Sequence, residues 1–501
     1  MEKAVQAPAM ASEVDVVIIG SGFAGLCAGI QLKRAGQSSF VILEKNNGVG
    51  GTWRENTYPG AACDVPALLY SFSFEPNPDW STRFPRQPEI LRYLEYCADK
   101  YGMLERTRFG CEVVEARFDE GAAQWVIKTH DGQTLRARVL INGTGQLNRP
   151  AQPNLPGADS FAGNRFHSAC WDHTDDLTGK RVAVIGTGPS AVQFIPEIAA
   201  KVAKLSVFQR TPNWMVPRPD PEYSDRQQRL HRLHPWVMRA KRFGIWAMAD
   251  LAWPMFVMGP QHPIRRLAER LVRWNMHRHI PNPELRSKLT PSYPMGCKRV
   301  QIEDDYYPAL HQPNVELVTQ PIDCITPTGI RTSDGVDHPA DTLIYATGFR
   351  ATQFLFPMEV YGLQGKSLNE SWRNGAEAYM GVTMPGFPNF FMLYGPNTNL
   401  GHNSIIFMIE QQVRYILECI DILQRRRLRY MVLRDEPMQS WQQQAETQLR
   451  RSIWAQGCNS WYKNSEGRIT NNWPYSTLTY WWRMRSVATQ DYQWVAETNN
   501  E

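Results

Sequence analysis

Gly20, Gly22 and Gly25 stand at the spacing G-x-G-x-x-G inside VDVVIIGSGFAGLCAGIQLKRAG, and Glu44 closes the next apolar run, FVILEK. Glycines at that spacing permit a tight turn and let the backbone approach a pyrophosphate at a helix N-terminus. A carboxylate placed as Glu44 is can accept hydrogen bonds from a ribose 2′-hydroxyl. A lone turn of this kind is weak evidence. Here the strand before it, the helix after it and the acid all stand in place. The pattern recurs in RVAVIGTGPSAVQFIPEIA as Gly186-x-Gly188-x-x-Ala191, followed by KLSVFQR. Arg210 lies as far beyond Gly186 as Glu44 lies beyond Gly20. A carboxylate would repel a 2′-phosphate, whereas arginine pairs with it through charge-assisted hydrogen bonds. The first unit therefore fits an unphosphorylated ribose, such as that of FAD, and the second fits NADPH. A solvated strand-end charge is the plainer reading of Arg210, and its register with Glu44 weighs against it.

These residues need strands and helices to place them. The apolar runs before each turn read as buried strands, and the stretches after as amphipathic helices. Two further strands, in RVLINGTGQ (138–146) and TLIYATGF (342–349), end in small residues that let the chain pass close to a dinucleotide or change domain. The expected fold is α/β, with two Rossmann-like dinucleotide-binding domains and a helical insertion. Residues 1–148 form the first part of the FAD domain, 149–345 the NADP domain, and 346–501 the second part of the FAD domain. Residues 213–296 break the α/β rhythm and hold 14 Lys and Arg against 6 Asp and Glu. They read as a helical insertion with a solvated basic face; contact with an anionic membrane is the second reading.

The chain of 501 residues is long enough for several domains. Its net charge of +5 implies no nucleic-acid partner. Nine cysteines without a C-x-x-C pair read as free thiols of a reducing compartment. MEKAVQAPAMASEVD lacks the apolar core of a secretory leader. GIWAMADLAWPMFVMG (244–259) is too short for a bilayer span and carries Asp250 and Pro254. The expected location is the cytosol.

FAGNRFHSACWD holds Phe161, Gly163, His167, Trp171 and Asp172 at the spacing F-x-G-x-x-x-H-x-x-x-W-D. GGTWRENTYPGAACD holds Gly50, Gly51, Trp53, Tyr58, Pro59, Gly60 and Asp64, and GCKR (296–299) ends in Lys298 and Arg299. With these motifs almost the whole chain resembles the class B flavoprotein monooxygenases, and within them the type I Baeyer–Villiger monooxygenases. The resemblance implies FAD and NADPH as cofactors, and a ketone and O₂ as substrates. It places Phe161, Gly163, His167, Trp171 and Asp172 in a linker that gates the two domains. Read without it, His167 is an ordinary satisfied histidine. The resemblance puts Phe23, Thr52, Trp53, Asp64, Tyr70 and Val113 at the flavin. The turn Thr187, Gly188, Pro189, Ser190, Ala191, Val192 and Gln193 would cradle the NADPH pyrophosphate. Arg210, Thr211 and Lys298 would hold its 2′-phosphate. LYGPNTNLGHNSIIFMIE (393–410) resembles a flavin-domain turn entering a helix, and CNSWYKN (458–464) a segment on the substrate side, with Trp461 in the pocket. The ending NNWPYSTLTYWWRMRS departs from the cyclohexanone-type members, which leaves substrate range open.

A hydride donor and a two-electron flavin share this chain, and no C-x-x-C takes electrons onward. Oxygen is the remaining acceptor. Reduced flavin and O₂ give a C4a-peroxyflavin, chemistry that belongs to the cofactor. The anionic oxygen that attacks a ketone calls for a fixed cation, and Arg299 is the candidate; the resemblance implies that Asp64 positions it through an ion pair. The product is an ester or lactone, with sulfoxidation as a side activity. An N- or S-oxidising flavin monooxygenase is the alternative; its related linker motif usually lacks a tryptophan at position 171. A non-enzymic flavin sensor or partner-binding protein is the second alternative, and the NADPH-type residues argue against it.

Overall fold

The computed structural model describes residues 13–257, 259–458 and 460–496. The N-terminal stretch read for a leader lies mostly outside the described residues. Strand β1 (Glu13–Ile19) leads through the first glycine turn into helix α1 (Phe23–Arg34) and on to β2 (Phe40–Leu43). β1 pairs in parallel with β2 on one side and with β3 (Thr134–Asn142) on the other. A central parallel strand is covered on both faces, which is why it reads as an unbroken apolar run. Gly20 has φ +93°, and a Cβ there would lie 2.9 Å from the Gly143 carbonyl oxygen. A Cβ on Gly25 would fall 1.8 Å from the carbonyl oxygen of Gly20. The third glycine thus lets α1 start flush against the turn, rather than touching a ligand.

The second sheet repeats the device. β4 (Asn164–His167), β5 (Arg181–Ile185), β6 (Lys204–Phe208), β7 (Val315–Val318) and β8 (Thr342–Tyr345) run parallel in the order β7-β6-β5-β8-β4. Helix α2 (Pro189–Ala199) follows the second glycine turn. Gly186 has φ +106°, and a Cβ there would lie 2.5 Å from the Ala346 carbonyl oxygen. Gly143 beyond β3 and Ala346 beyond β8 therefore play one part: each clears the first glycine of a turn.

Between β6 and β7 the chain makes helices α3 (Asp225–Leu233), α4 (Pro235–Leu251), α5 (Pro254–Val257) and α6 (Pro263–His279). Ser224 and Gln227 close a reciprocal capping box at the start of α3. Proline opens the other three, where its missing N–H costs nothing. After β8 the chain returns to the first sheet, where β9 (Phe390–Met392) pairs with β3. Helix α7 (Ile405–Arg425) packs on α1, and α8 (Thr477–Arg483) packs on α7. Isoleucine, leucine and phenylalanine from both passes of the chain share one core, each contributing about 1.5–3 kcal/mol by burial.

The cysteines correct the sequence reading. Cys297 and Cys458 form a disulfide with Cα atoms 6.2 Å apart, and the other seven are free thiols. The partners lie 161 residues apart, so no spacing rule could pair them, and the inference of a reducing compartment loses its premise. Alkylation of the denatured chain without reductant is expected to label seven cysteines, and reduction to expose the remaining pair. Labelling of every cysteine without reductant would show that the bridge does not form.

Candidate active site

The two glycine turns open onto one cavity of about 1510 Å³. On its first side, Gly20, Gly22, Phe23, Glu44, Thr52 and Trp53 line it, with Tyr70 and Val113. Glu44 is only 4 % exposed. Its Oε2 accepts hydrogen bonds from the Ser21 amide (2.8 Å) and hydroxyl (2.7 Å), and its Oε1 from the Asn46 amide (2.9 Å). Oε1 keeps a second lone pair for a ligand hydroxyl. Trp53 Nε1 donates to the Tyr70 hydroxyl at 3.1 Å, and the Tyr70 ring stands edge-on to Phe23. Gly25 does not reach the cavity; its place is the turn itself.

On the second side Thr187, Gly188, Pro189, Ser190 and Gln193 line the cavity. Ala191 and Val192 do not. They are buried in the core between α2 and its sheet. A helix turns only part of its first coil toward a ligand, so a contiguous motif overstates the contact. Arg210, Thr211 and Lys298 converge on the same wall. Lys298 Nζ donates to the Thr211 hydroxyl at 2.8 Å. Burial and the neighbouring Arg210 charge push the Lys298 amine below its ordinary pKa. Two cations held together at a cost are the preparation for an anion.

Arg299 and Asp64 meet between these walls. Arg299 Nε donates to Asp64 Oδ2 at 2.8 Å, and Nη2 reaches Oδ1 at 2.7 Å and Oδ2 at 2.6 Å. The side chains keep 28 % and 27 % of their surface open, and both line the cavity. The Asp64 carboxylate raises the Arg299 pKa further, against the opposing effect of burial. The guanidinium is therefore charged at every working pH and fixed in plane by a forked contact. Burial raises the Tyr394 phenol, and that of Tyr462 to about 12, while the Arg299 charge pulls both back. Both stay neutral donors.

Helix α2 touches the loop that carries Asp64. Gln193 Oε1 accepts from the Tyr58 hydroxyl at 3.0 Å, and its Nε2 donates to the Ala62 carbonyl at 3.0 Å. A Cβ on Gly60 would lie 2.6 Å from the Gln193 carbonyl, so the glycine of Y-P-G is required by this approach.

The residues Phe161, Gly163, His167, Trp171 and Asp172 do not line the cavity. Nor is their segment a slack connection: it contains β4, the edge strand of the second sheet. Phe161 is a core residue of that sheet, and a Cβ on Gly163 would meet the Asp341 carbonyl at 2.2 Å. Trp171 stands edge-on to Phe166 and to Phe194 of α2, and Phe194 in turn to Tyr58. Asp172 accepts from the Thr174 hydroxyl and amide and from Asn164, which holds its carboxyl at about 2. His167 is 2 % exposed, its Nδ1 accepts from the Ala169 amide, and burial lowers its pKa. The edge of the second sheet is thus pinned to α2, and α2 to the Asp64 loop.

Trp461 lines the cavity beside Ser460, its ring 4.5 Å from that of Tyr462. Sequence reasoning singled out neither Tyr394 nor Asn399 nor Asn403, all of which line the cavity. Tyr394 donates to Asn399 Oδ1 at 2.7 Å and has φ +55°; Asn397 has φ +56°. Non-glycine residues in that region mark stored strain, which gathers at working sites. The available signal was the dense asparagine and glycine of YGPNTNLGHN.

A family model described as pyridine nucleotide-disulphide oxidoreductase matches residues 17–243. A Baeyer-Villiger monooxygenase of Pseudomonas aeruginosa is 43 % identical over 485 residues, covering 96 % of this chain and 91 % of that one. Cyclohexanone monooxygenase from Rhodococcus sp. Phi1, bound to NADP+, superposes with a TM-score of 0.87 at 29 % identity, covering 97 % of this chain and all of the other. OTEMO in complex with FAD and NADP superposes at 0.86 and 28 % identity, covering 96 % and 99 %.

Proposed function

The chain belongs to the Baeyer–Villiger monooxygenases, and on that premise we propose how its residues divide the work. It is an FAD-containing, NADPH-dependent enzyme that oxidises ketones with O₂. We divide it into an FAD domain of residues 1–148 and 346–501 and an NADP domain of residues 149–345.

The donor set fits both dinucleotides. A Cβ on Gly51 would come within 3.0 Å of the Gly22 Cα, so side chains there would fill the cradle. Glu44 offers an acceptor on one side, and Arg210 and Lys298 offer cations on the other. Bound flavin supplies the passage of two electrons from NADPH to oxygen. The chain does the rest. Gly20, Gly22 and Glu44 seat the FAD adenosine, and Trp53 and Tyr70 wall the ring side. Thr187, Gly188 and Ser190 receive the NADPH pyrophosphate; Arg210, Thr211 and Lys298 receive its 2′-phosphate. Asp64 holds Arg299 in place, and Arg299 stabilises negative charge on the oxygen that attacks the ketone. Trp461, Tyr394 and Tyr462 keep that region dry. The contacts from Trp171 through Phe194 to Tyr58 carry domain motion to the Asp64 loop, and His167 holds the edge strand from which Trp171 extends. We place this work in the cytosol, where NADPH is supplied, and expect sulfide oxidation as a side activity.

The single observation that carries this assignment is the Arg299–Asp64 fork on the wall shared by both nucleotide sides. Product analysis tests it. Cyclic, linear and aryl ketones, amines and sulfides are offered with NADPH, and esters or lactones are expected from ketones in excess of amine or sulfide oxides. N-oxides without any ester would transfer the protein to the amine-oxidising class.

The first nucleotide side carries its own test. Glu44→Arg is expected to purify with little FAD, because it loses the ribose acceptor and sets a cation beside the turn. Retention of a full complement of FAD would show the adenosine to lie elsewhere.

A further inference from the structure

Helices α4 and α6 turn large apolar side chains to the outside. On α6, Ile264, Leu267, Leu271 and Trp274 are 54 %, 56 %, 58 % and 58 % exposed. Steps of three and four residues place them in one stripe. Arg266, Arg270 and Arg273 follow the same steps in a stripe alongside, and all three are exposed. The opposite side of α6 is anchored: Met276 is buried, and Glu269 accepts from the Met295 amide at 2.9 Å. On α4, Trp236, Phe243, Met248 and Leu251 are 64–79 % exposed. Its inward side is tied down by Arg242, which donates to the Leu68 and Ser71 carbonyls, and by Asp250, which accepts from the Thr477 amide at the start of α8. There Leu478 and Trp482 are also exposed, at 51 % and 56 %. The basic face expected from the sequence is therefore half of the surface, and an apolar face accompanies it.

We propose that α4, α6 and α8 form a docking surface for the headgroup region of an anionic phospholipid bilayer. Charge selects this occupant. Helix α6 carries five arginines against one glutamate, and that glutamate faces inward. A second copy docked by the same face would set arginine stripes against each other. Anionic headgroups take the arginines, and the acyl boundary takes the leucine and tryptophan side chains. No described helix is long and apolar enough to cross the membrane, so the surface lies on it. Helix α4 leads to the active site. Exposed Phe243 stacks toward Trp246 at 5.6 Å, and Trp246 toward Phe407 of α7 at 5.7 Å. Asn403, which lines the cavity, donates to the Trp246 carbonyl at 3.2 Å. Ketones dissolved in lipid would meet the enzyme beside its cavity.

Co-sedimentation of the FAD-loaded enzyme with phosphatidylcholine vesicles, with and without phosphatidylglycerol, tests the proposal independently of the assigned reaction. The expected result is binding to the phosphatidylglycerol vesicles, weakened by salt. Leu271→Glu with Trp274→Glu should weaken it at least ~10-fold, from the apolar burial lost. Turnover of a water-soluble ketone should be unchanged, which also reports folding. Arg266→Glu with Arg270→Glu, both on exposed positions, should do the same through charge. Absence of binding by the unaltered enzyme, or binding untouched by both double variants, would overturn the proposal. So would a dimer that either variant converts to monomer, which would make this face a contact between copies.

Discussion

Arg299→Ala is expected to bind FAD and to be reduced by NADPH, yet to lose ketone oxygenation by at least ~100-fold, the scale for removing a preorganised charge stabiliser. The substitution removes the one cation that the Asp64 fork fixes on the cavity wall. In a site from which water is excluded, such a charge is worth more than in solution, because nothing else screens the developing negative oxygen. NADPH should still be consumed, since hydride transfer needs nearness and orientation more than this charge. The electrons then leave as hydrogen peroxide. Arg299→Lys should rescue only in part, because an ammonium supplies charge without the planar pair of donors that Asp64 grips. Stopped-flow reduction, ester yield and peroxide yield separate these steps. Ester formed at near-normal yield per NADPH in Arg299→Ala would place the stabilising cation elsewhere.

The second large effect concerns the coenzyme. Arg210→Ala is expected to lower kcat/KM for NADPH by about one to two powers of ten, from about 1.5–3 kcal/mol for one charge-assisted contact. NADH should be little affected, because it carries no 2′-phosphate. Lys298 should retain part of the preference, since it is held on the same wall by Thr211. The unaltered enzyme should strongly prefer NADPH. Equal use of both coenzymes would remove Arg210 and Lys298 from the 2′-phosphate.

By itself the sequence determined what is local. The spacing of Gly20, Gly22 and Gly25 follows from backbone sterics within a few residues of one turn. The matching registers of Glu44 and Arg210 follow from one repeated strand–turn–helix length. Side-chain chemistry at those positions is what assigns, in our reading, a plain ribose to the first turn and a phosphorylated one to the second. Tertiary structure decided whatever depends on elements far apart in the chain. Asp64 and Arg299 are 235 residues apart, and contacts made only in the folded chain bring the two walls together, among them those of α2 with the Asp64 loop and of Phe84 with Asp220 and Arg218. Cys297 and Cys458 pair for the same kind of reason. Ala191 and Val192 sit inside a cofactor motif but face the core, because helix periodicity, rather than motif membership, aims a side chain. The resemblance places the segment from Phe161 to Asp172 in a linker, and the four-residue edge strand inside it carries too little local pattern to announce itself. Its hydrogen-bonded partner, β8, lies far downstream. The apolar face of α4 and α6 was hidden in the same way. Sequence shows that leucine and tryptophan recur at helical steps, but only the folded chain shows that nothing among the described residues covers them.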